Sequence, residues 1–519
     1  MKFLLTIIQA AGLGCASAAA GRRVLHYLQL ESYQLPGYVK SVRRNAMRAL
    51  IPPIAMAAVG VAALRLSGLT GLALLLEALT AALLVWQAAK EKAKKPFVAT
   101  ERVKRLLAVH VAVNTVLALA LLTVSPVLGY LLPAFEPALL MLAALIAAPM
   151  EKHIAGQFIK DAQARLAAQP GLIKIGITGS YGKTSTKFLL RDILSVKYNV
   201  LATPSSFNTP MGVTKIIRER LTPATQVFVA EMGARHVGDI KELCRLVHPR
   251  YGVLTSVGPQ HLDTFHTLER IKNTKYELMD AVPADGCCFF PDDGAICREL
   301  YDRTEKEKRL CCLHYSPDAD VWATDVTVSS MGSRFVLHTS AEEIACETRL
   351  LGEHNIQNIL LAATVALHLG LTMRQVARGI TKLQPVEHRL QLIPSPGITI
   401  IDDAFNSNPK GAEAAVKVLG AFQARRIIIT PGMVELGGQE AEFNREFGRK
   451  ICGNADIAIL VGKKHTQPIA EGLLAAGFPQ GNLHVVASLD EATALLRQIG
   501  RPGDIAMFEN DLPDHYSET

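Results

Sequence analysis

The chain has 519 residues, room for two to four domains, with 49% hydrophobic residues, 20% charged residues and a formal net charge of +8. A mean hydropathy of +0.22 is high for a wholly soluble enzyme, and the excess collects in the first 150 residues. The positive charge calls for no nucleic-acid partner, because segments 21–48 and 90–105 supply thirteen basic residues by themselves.

Five apolar runs, at about 3–20, 49–65, 69–89, 107–124 and 127–149, approach or reach the length that crosses a bilayer. The first, ending near "GCASAAAG", also has the look of a cleavable signal. The basic residues favour spans: Arg22, Arg23, Lys40, Arg43, Arg44 and Arg48 in one connection, and Lys90, Lys92, Lys94, Lys95, Arg102, Lys104 and Arg105 in another. With both connections inside, the positive-inside rule gives a five-helix, multi-pass plasma-membrane domain over 1–150, N-terminus outside. The remaining chain is then cytoplasmic. Buried soluble helices are the alternative. Arg65 and Glu77 fall at or within these runs.

An amphipathic helix is expected next, within a connector at 151–171. Ile154, Phe158, Ala162 and Leu166 form its stripe, which suits a lipid surface or the next domain equally. From 172 onward short apolar runs alternate with helical segments. "LIKIGIT", "TQVFVAE", "YGVLTSV", "GITIID", "RRIIIT" and "IAILVG" read as strands of parallel α/β sheets. A division near 385–395 separates blocks 172–388 and 389–519. The nine cysteines show no C-x-x-C spacing and read as reduced thiols.

"GITGSYGKTST" at 176–186 misses the common G-x-x-x-x-G-K-[ST] phosphate loop by one residue. Its context is nevertheless strand, glycine turn, helix, where backbone N–H groups at a helix N-terminus hold phosphates. Gly179, Ser180, Gly182, Lys183, Thr184 and Ser185 are the nucleotide-binding candidates, with Thr184 also an Mg²⁺ ligand. Glu231 ends "TQVFVAE", at the carboxyl end of a strand, and is a candidate for the same cation. Downstream, Leu268, Ile271, Leu278 and Val282 make an apolar stripe that includes Lys275. A buried amine is favoured in its neutral form, which can take up CO₂ as a carbamate; a lysine snorkelling from the core edge is the plain alternative. His261 is a candidate nitrogen ligand.

"TGSYGKTST", "EMGARHVGDI", "GPQHLDTFHTLERIKNTKYE", "GEHNIQNILLAA" and "IDDAFNSNP" occur in the order seen in Mur ligases. Over roughly 172–500 the chain resembles that family, in particular the branch that adds D-alanyl-D-alanine to UDP-N-acetylmuramoyl-tripeptide. The family's short G-x-x-G-K-T loop explains the missing residue. The apolar runs give an α-helical membrane domain followed by α/β, and for the α/β part the resemblance implies a P-loop central ATPase domain and a Rossmann-like C-terminal domain. It implies ATP-driven amide formation through an acyl phosphate, with a cell-wall precursor carboxylate and an amine donor as partners.

By resemblance, Lys183 and Thr184 serve the phosphates and a first Mg²⁺ with Glu231, while His261 and carbamylated Lys275 hold a second. His354, Asn355 and Asn358 face the nucleotide base, Arg389 reaches the phosphates, Asp403 contacts the ribose, and Asn208 and Thr209 face the substrate. Lys183, Lys275, His261 and Arg389 form the catalytic set. Two departures stand out. The family's UDP-gripping N-terminal domain is replaced by the apolar runs, pointing to a lipid-linked substrate. The C-terminal "GDIAMFENDLPDHY" carries Glu509 and Asp511 where the family often has basic residues, so these acids attract a cationic amine or are simply solvated. A poly-γ-glutamate-type synthetase and a membrane ATPase in transport or signalling are the alternative functions.

Overall fold

The computed structural model describes residues 2–90, 96–205, 207–395, 397–405 and 407–512. They fall into two compact units, 2–157 and 158–512.

The first unit is helical: α1 (Lys2–Ala20), α2 (Arg22–Leu30), α3 (Leu35–Arg44), α4 (Ala46–Ser67), α5 (Thr70–Lys90), α6 (Glu101–Val124), α7 (Pro126–Tyr130) and α8 (Glu136–Ala167). Five stretches within it are long and apolar enough to cross a membrane. They leave large side chains such as Leu66, Val116 and Val124 exposed, as helices that are apolar all round do. Lys92, Lys94 and Lys95 lie outside the described residues. In α4, Pro52 and Pro53 lack the N–H groups that the Arg48 and Ala49 carbonyls would otherwise receive. Arg23 Nη1 supplies one replacement, donating to the Arg48 carbonyl at 3.0 Å.

The fifth apolar run, expected as one helix over 127–149, is broken. α7 stops at Tyr130, a 3₁₀ turn covers Leu132–Phe135, and α8 starts afresh at Glu136. Pro133 sits in that turn, where a proline blocks continuation of the α7 hydrogen-bond ladder. Glu136 is fully buried, accepts from Ser17 Oγ at 2.5 Å and lies 2.9 Å from His110 Nε2. Glu77 is also fully buried and packs into space that only the missing Cβ of Gly60 leaves free.

α8 continues without a break past residue 150, and its C-terminal part belongs to the second unit. Ala162 and Leu166 join a core cluster with Leu172, and Arg218 bridges to Asp161 at 2.6 Å. The end of the stripe carrying Ala162 and Leu166 therefore packs on protein, whereas Phe158 stays exposed.

The second unit is built on two sheets. The first holds β1 (Ile173–Thr178), β2 (Val200–Ala202), β3 (Val227–Glu231), β4 (Tyr251–Leu254), β5 (Cys287–Pro291), β6 (Lys308–Cys312), β7 (Val321–Ser329), β8 (Gly332–His338) and β9 (Glu343–Thr348). Their spatial order is 2-3-1-4-5-6-7-8-9. The first seven are parallel, and β8 and β9 extend the edge beyond β7 through antiparallel hairpins. The chain crosses away from β1 in both directions, making the carboxyl ends of β1 and its neighbours the crevice where α/β sheets bind ligands.

The second sheet contains β10 (Gln391–Pro394), β11 (Ile398–Asp403), β12 (Arg426–Thr430), β13 (Ile457–Val461), β14 (Leu483–Val486) and β15 (Asp504–Glu509) in the order 10-11-15-12-13-14. Only β10 runs antiparallel to its neighbour. The six runs singled out from sequence coincide with β1, β3, β4, β11, β12 and β13. The β7–β9 hairpins were not among them, because alternately buried and exposed residues give them no continuous apolar run.

Candidate active site

β1 ends at Thr178 and α9 (Lys183–Leu194) begins at Lys183. The turn between them needs its glycines. Gly179 (φ 150°) lies against the Thr255 hydroxyl, and Gly182 (φ 77°) caps α9 in the left-handed region, close to the Asn358 amide oxygen. Ser180 is turned away from the turn's mouth: its buried hydroxyl bonds to the Gly258 backbone, donating at 2.9 Å and accepting at 3.1 Å. Lys183 Nζ folds back to donate to the Gly179 and Ser180 carbonyls at 2.7 and 3.0 Å. Burial pushes this amine down to about 8, against the pull of Glu231 and with the help of Arg389. Ser185 follows in the first turn of α9, half-buried.

Glu231, 1% exposed, closes β3 opposite Ile177 of β1. Its Oε2 accepts from Thr184 Oγ1 at 3.0 Å and from Lys187 Nζ at 2.9 Å, and its Oε1 accepts from Asn208 Nδ2 at 3.0 Å. Burial works against the charged carboxylate, but the neighbouring lysines more than offset it and hold the group below its ordinary range. Two oxygens of Thr184 and Glu231 at hydrogen-bond distance, in a spot that already attracts a buried ammonium, fit a hard divalent cation. Asn208 is thus tied to this carboxylate, whereas Thr209 caps α10 (Pro210–Arg220) by accepting from the Gly212 N–H at 3.3 Å.

His261 caps the short α12 (Leu262–Phe265) with φ 52°. Its Nδ1 lies 2.7 Å from Glu435 Oε2, on the loop after β12. Burial keeps the imidazole below its ordinary pKa, with Glu435 pulling the other way. Lys275, on α13 (Leu268–Ala281), is 2% exposed. Burial first, then the nearby Lys183 ammonium, hold its amine well below the ordinary lysine value. The stripe it lies on includes the buried Ile271, Leu278 and Val282, but Leu268, counted in the stripe from sequence, is 39% exposed. It starts the helix, one turn before the face turns fully inward. The Lys183 ammonium is felt by both Lys275 and His261, so both lie within its electrostatic reach.

α15 (Glu353–His368) brings His354, Asn355 and Asn358. Burial and Arg389 push His354 down to about 4. Asn358 Oδ1 accepts from Thr186 Oγ1 of α9 at 3.2 Å, beside the glycine turn. Asn355 instead donates to the Leu351 carbonyl at 2.8 Å and is 9% exposed, so the two asparagines do not present their amides to one place. Arg389 lies 4.3 Å from the Phe405 ring centroid, within electrostatic reach of Lys183, Glu231 and Asp403. Asp403 accepts from the Leu390 N–H at 3.1 Å; burial and Glu509 raise it to about 7.

Glu509 corrects a sequence expectation. It neither meets solvent nor offers its charge to an incoming amine: it is fully buried at the end of β15, accepting from Thr430 at 2.6 Å and from the Ser407 hydroxyl. Burial raises it to about 7. Sequence reading also missed Lys187 and Glu435. Lys187 had a usable signal, since it repeats Lys183 one turn later among buried residues of α9. Glu435 had none. Of the cysteines, Cys287 lies with Glu307 and His368 in a group whose ligand atoms are all within 4.8 Å of one another. There Glu307 is already bonded to Arg309 Nη2 at 2.8 Å. All nine thiols are free.

Comparison with known proteins matches this geometry. The Mur ligase middle domain model fits residues 177–366, and the model for the Mur ligase glutamate ligase domain fits 388–508. The UDP-N-acetylmuramoyl-tripeptide–D-alanyl-D-alanine ligase of Mycobacterium bovis is 34% identical over 362 residues, covering 65% of this chain and 70% of that protein. The Bacillus subtilis enzyme of the same name is 27% identical over 338 residues, covering 64% and 72%. MurF from Acinetobacter baumannii superposes with a TM-score of 0.63 at 25% identity, covering 70% of this chain and 79% of that one. Thermotoga maritima MurF, solved with ADP, shares the fold with a TM-score of 0.62 at 23% identity, covering 70% and 82%. The chain belongs to the Mur ligase family and is an ATP-dependent amide-forming ligase that carries a helical N-terminal unit with five apolar stretches.

Proposed function

We propose that the protein is a membrane-anchored ligase of peptidoglycan synthesis that joins an amine to the carboxylate of a lipid-linked muropeptide. The observation that carries the chemistry is the convergence of Lys183, Thr184, Glu231, Lys275 and His261 on one crevice. We read residues 179–185 as a short P-loop within a central ATPase domain, 172–388, and 389–519 as a Rossmann-like C-terminal domain. The N–H groups opening α9 and the Lys183 ammonium, swung off its own loop, hold the β- and γ-phosphates. Arg389 adds charge from the C-terminal domain, and His354, Asn358 and Asp403 bound the nucleoside.

The acceptor carboxylate attacks the γ-phosphorus, ADP leaves, and an acyl phosphate forms. The amine then attacks the acyl carbon; phosphate leaves from the tetrahedral intermediate and the amine loses a proton. Positioning and electrostatics supply most of the rate. Thr184 and Glu231 would hold one Mg²⁺. His261, presenting the nitrogen that Glu435 does not engage, and Lys275 would hold a second. For Lys275 this needs its neutral amine to add to CO₂ and shed a proton as a carbamate, and burial favours that neutral amine. The cations would screen the phosphates as charge moves onto the leaving oxygen.

Two observations support a membrane acceptor: the five apolar stretches stand ahead of residue 177, where family similarity begins, and basic segments border them. By the positive-inside rule they support spans with the N-terminus outside and the ligase in the cytoplasm. The amine is a D-alanyl-D-alanine-type dipeptide, as the names of the relatives indicate. The test is amide formation by full-length protein in nanodiscs with lipid-linked or UDP-linked muropeptide. Faster turnover of the lipid-linked form is expected, and faster turnover of the soluble form would reject the lipid-linked assignment.

A further inference from the structure

Among the described residues, Lys187 is the one buried ammonium beside Glu231 to which the catalytic reading gives no task. It is fully buried, one turn after Lys183 on α9, and its Nζ donates to two acceptors: Glu231 Oε2 at 2.9 Å and the Ser205 carbonyl at 2.5 Å. Glu231 thereby has both oxygens engaged, by Thr184 and Lys187 on one and Asn208 on the other. A divalent cation bound through Oε2 would stand against an ammonium on the same oxygen. Like charges that close, screened from water, repel strongly. The ammonium and the metal therefore compete for Oε2.

The second acceptor links this competition to the substrate side. Ser205 lies in the segment between β2 and α10, which also carries Asn208 and Thr209. The segment is pinned at its ends: the Thr203 N–H donates to the Val229 carbonyl at 3.0 Å, and the Gly233 N–H to the Asn208 carbonyl at 2.9 Å. Between those pins Lys187 holds it from below. An ammonium moved off Glu231 has another partner within reach, the Phe188 ring, whose centroid is 4.3 Å away.

We infer that Lys187 is the resident counter-ion of the metal carboxylate: Mg²⁺ displaces it from Glu231, and this displacement loosens the 204–208 segment beneath the substrate. Lys187 is thus a positioning residue that couples metal loading to the acceptor loop. The inference rests on the reading of Glu231 as a metal ligand.

The test uses Mn²⁺ alone, without nucleotide, with full-length protein in detergent, free Mn²⁺ being read by electron paramagnetic resonance. Lys187→Met is expected to bind Mn²⁺ at least about tenfold more tightly than the unaltered protein, while Lys187→Arg, which keeps the charge, binds as the unaltered protein does. Glu231→Gln is expected to lose that site's Mn²⁺, leaving only what His261 and Lys275 hold. If Glu231→Gln loses Mn²⁺ but Lys187→Met binds no more tightly, the coupling is overturned and the ligand reading stands. If Glu231→Gln binds Mn²⁺ unchanged, both fall. Hydrogen exchange on the unaltered protein decides the matter should Lys187→Met not fold. Mg²⁺ is expected to speed exchange of the Ser205, Phe207 and Asn208 amides, and unchanged exchange at saturating Mg²⁺ overturns the inference.

Discussion

Helices α9 and α13 each turn a lysine inward, and the two fare differently. Lys187 meets a carboxylate, so its charge is compensated inside the protein. Among the described residues Lys275 meets no such partner at bonding distance; Lys183 repels its charge, and Asp239 and Glu277 favour it less strongly than burial opposes it. Burial alone therefore does not decide what a lysine does. An ammonium with a counter-ion becomes a fixed charge, whereas one without it is driven toward a neutral, nucleophilic amine.

The largest expected effect breaks this contrast on the reactive side. Lys275→Arg keeps a cation but cannot form a carbamate, and ligation should fall by about a thousandfold, or ~4 kcal/mol in the barrier. Short carboxylic acids should partly rescue Lys275→Ala. Activity of Lys275→Arg within a few-fold of the parent would remove the carbamate from the mechanism.

Stability sharpens the contrast. Lys187→Met leaves Glu231 buried without its main counter-charge and should cost about 3 kcal/mol. Lys275→Met, measured in CO₂-depleted buffer, should stay within about 1 kcal/mol of the parent because it removes an uncompensated buried amine. Chemical unfolding of the two variants checks this, and equal losses would erase the distinction.

The smallest effect concerns the acid pair on the C-terminal sheet. Asp403 and Glu509 are both raised to about 7, so between about pH 4 and pH 7 the folded protein holds protons that the unfolded chain has released. Stability from these groups is then fully present below about pH 4 and lost as pH rises to about 7. Glu509→Gln should flatten this slope in unfolding measured from pH 5 to 8. A slope unchanged by the substitution would mean that the pair does not set it.

The legible parts of this molecule were those written locally. Apolar runs marked the five long helices, and the strand–glycine–helix pattern marked the turn before Lys183, because backbone sterics and hydrophobic period act over a few residues. Lys275 was legible for the same reason, its neighbours on the stripe being three and four residues away. Leu268 misled because a helix end leaves part of its face in solvent.

What tertiary structure alone decided are the pairings between distant segments. Glu435 reaches His261 across 174 residues of chain, Glu231 gathers Thr184, Lys187 and Asn208 from two other segments, and Glu509 turns inward to Ser407 and Thr430. The sequence by itself determined which residues carry charge and on which local face they lie. Whether each charge finds a partner depends on the crossing of strands far apart in the chain, and that electrostatic outcome separates a fixed counter-ion from a reactive amine.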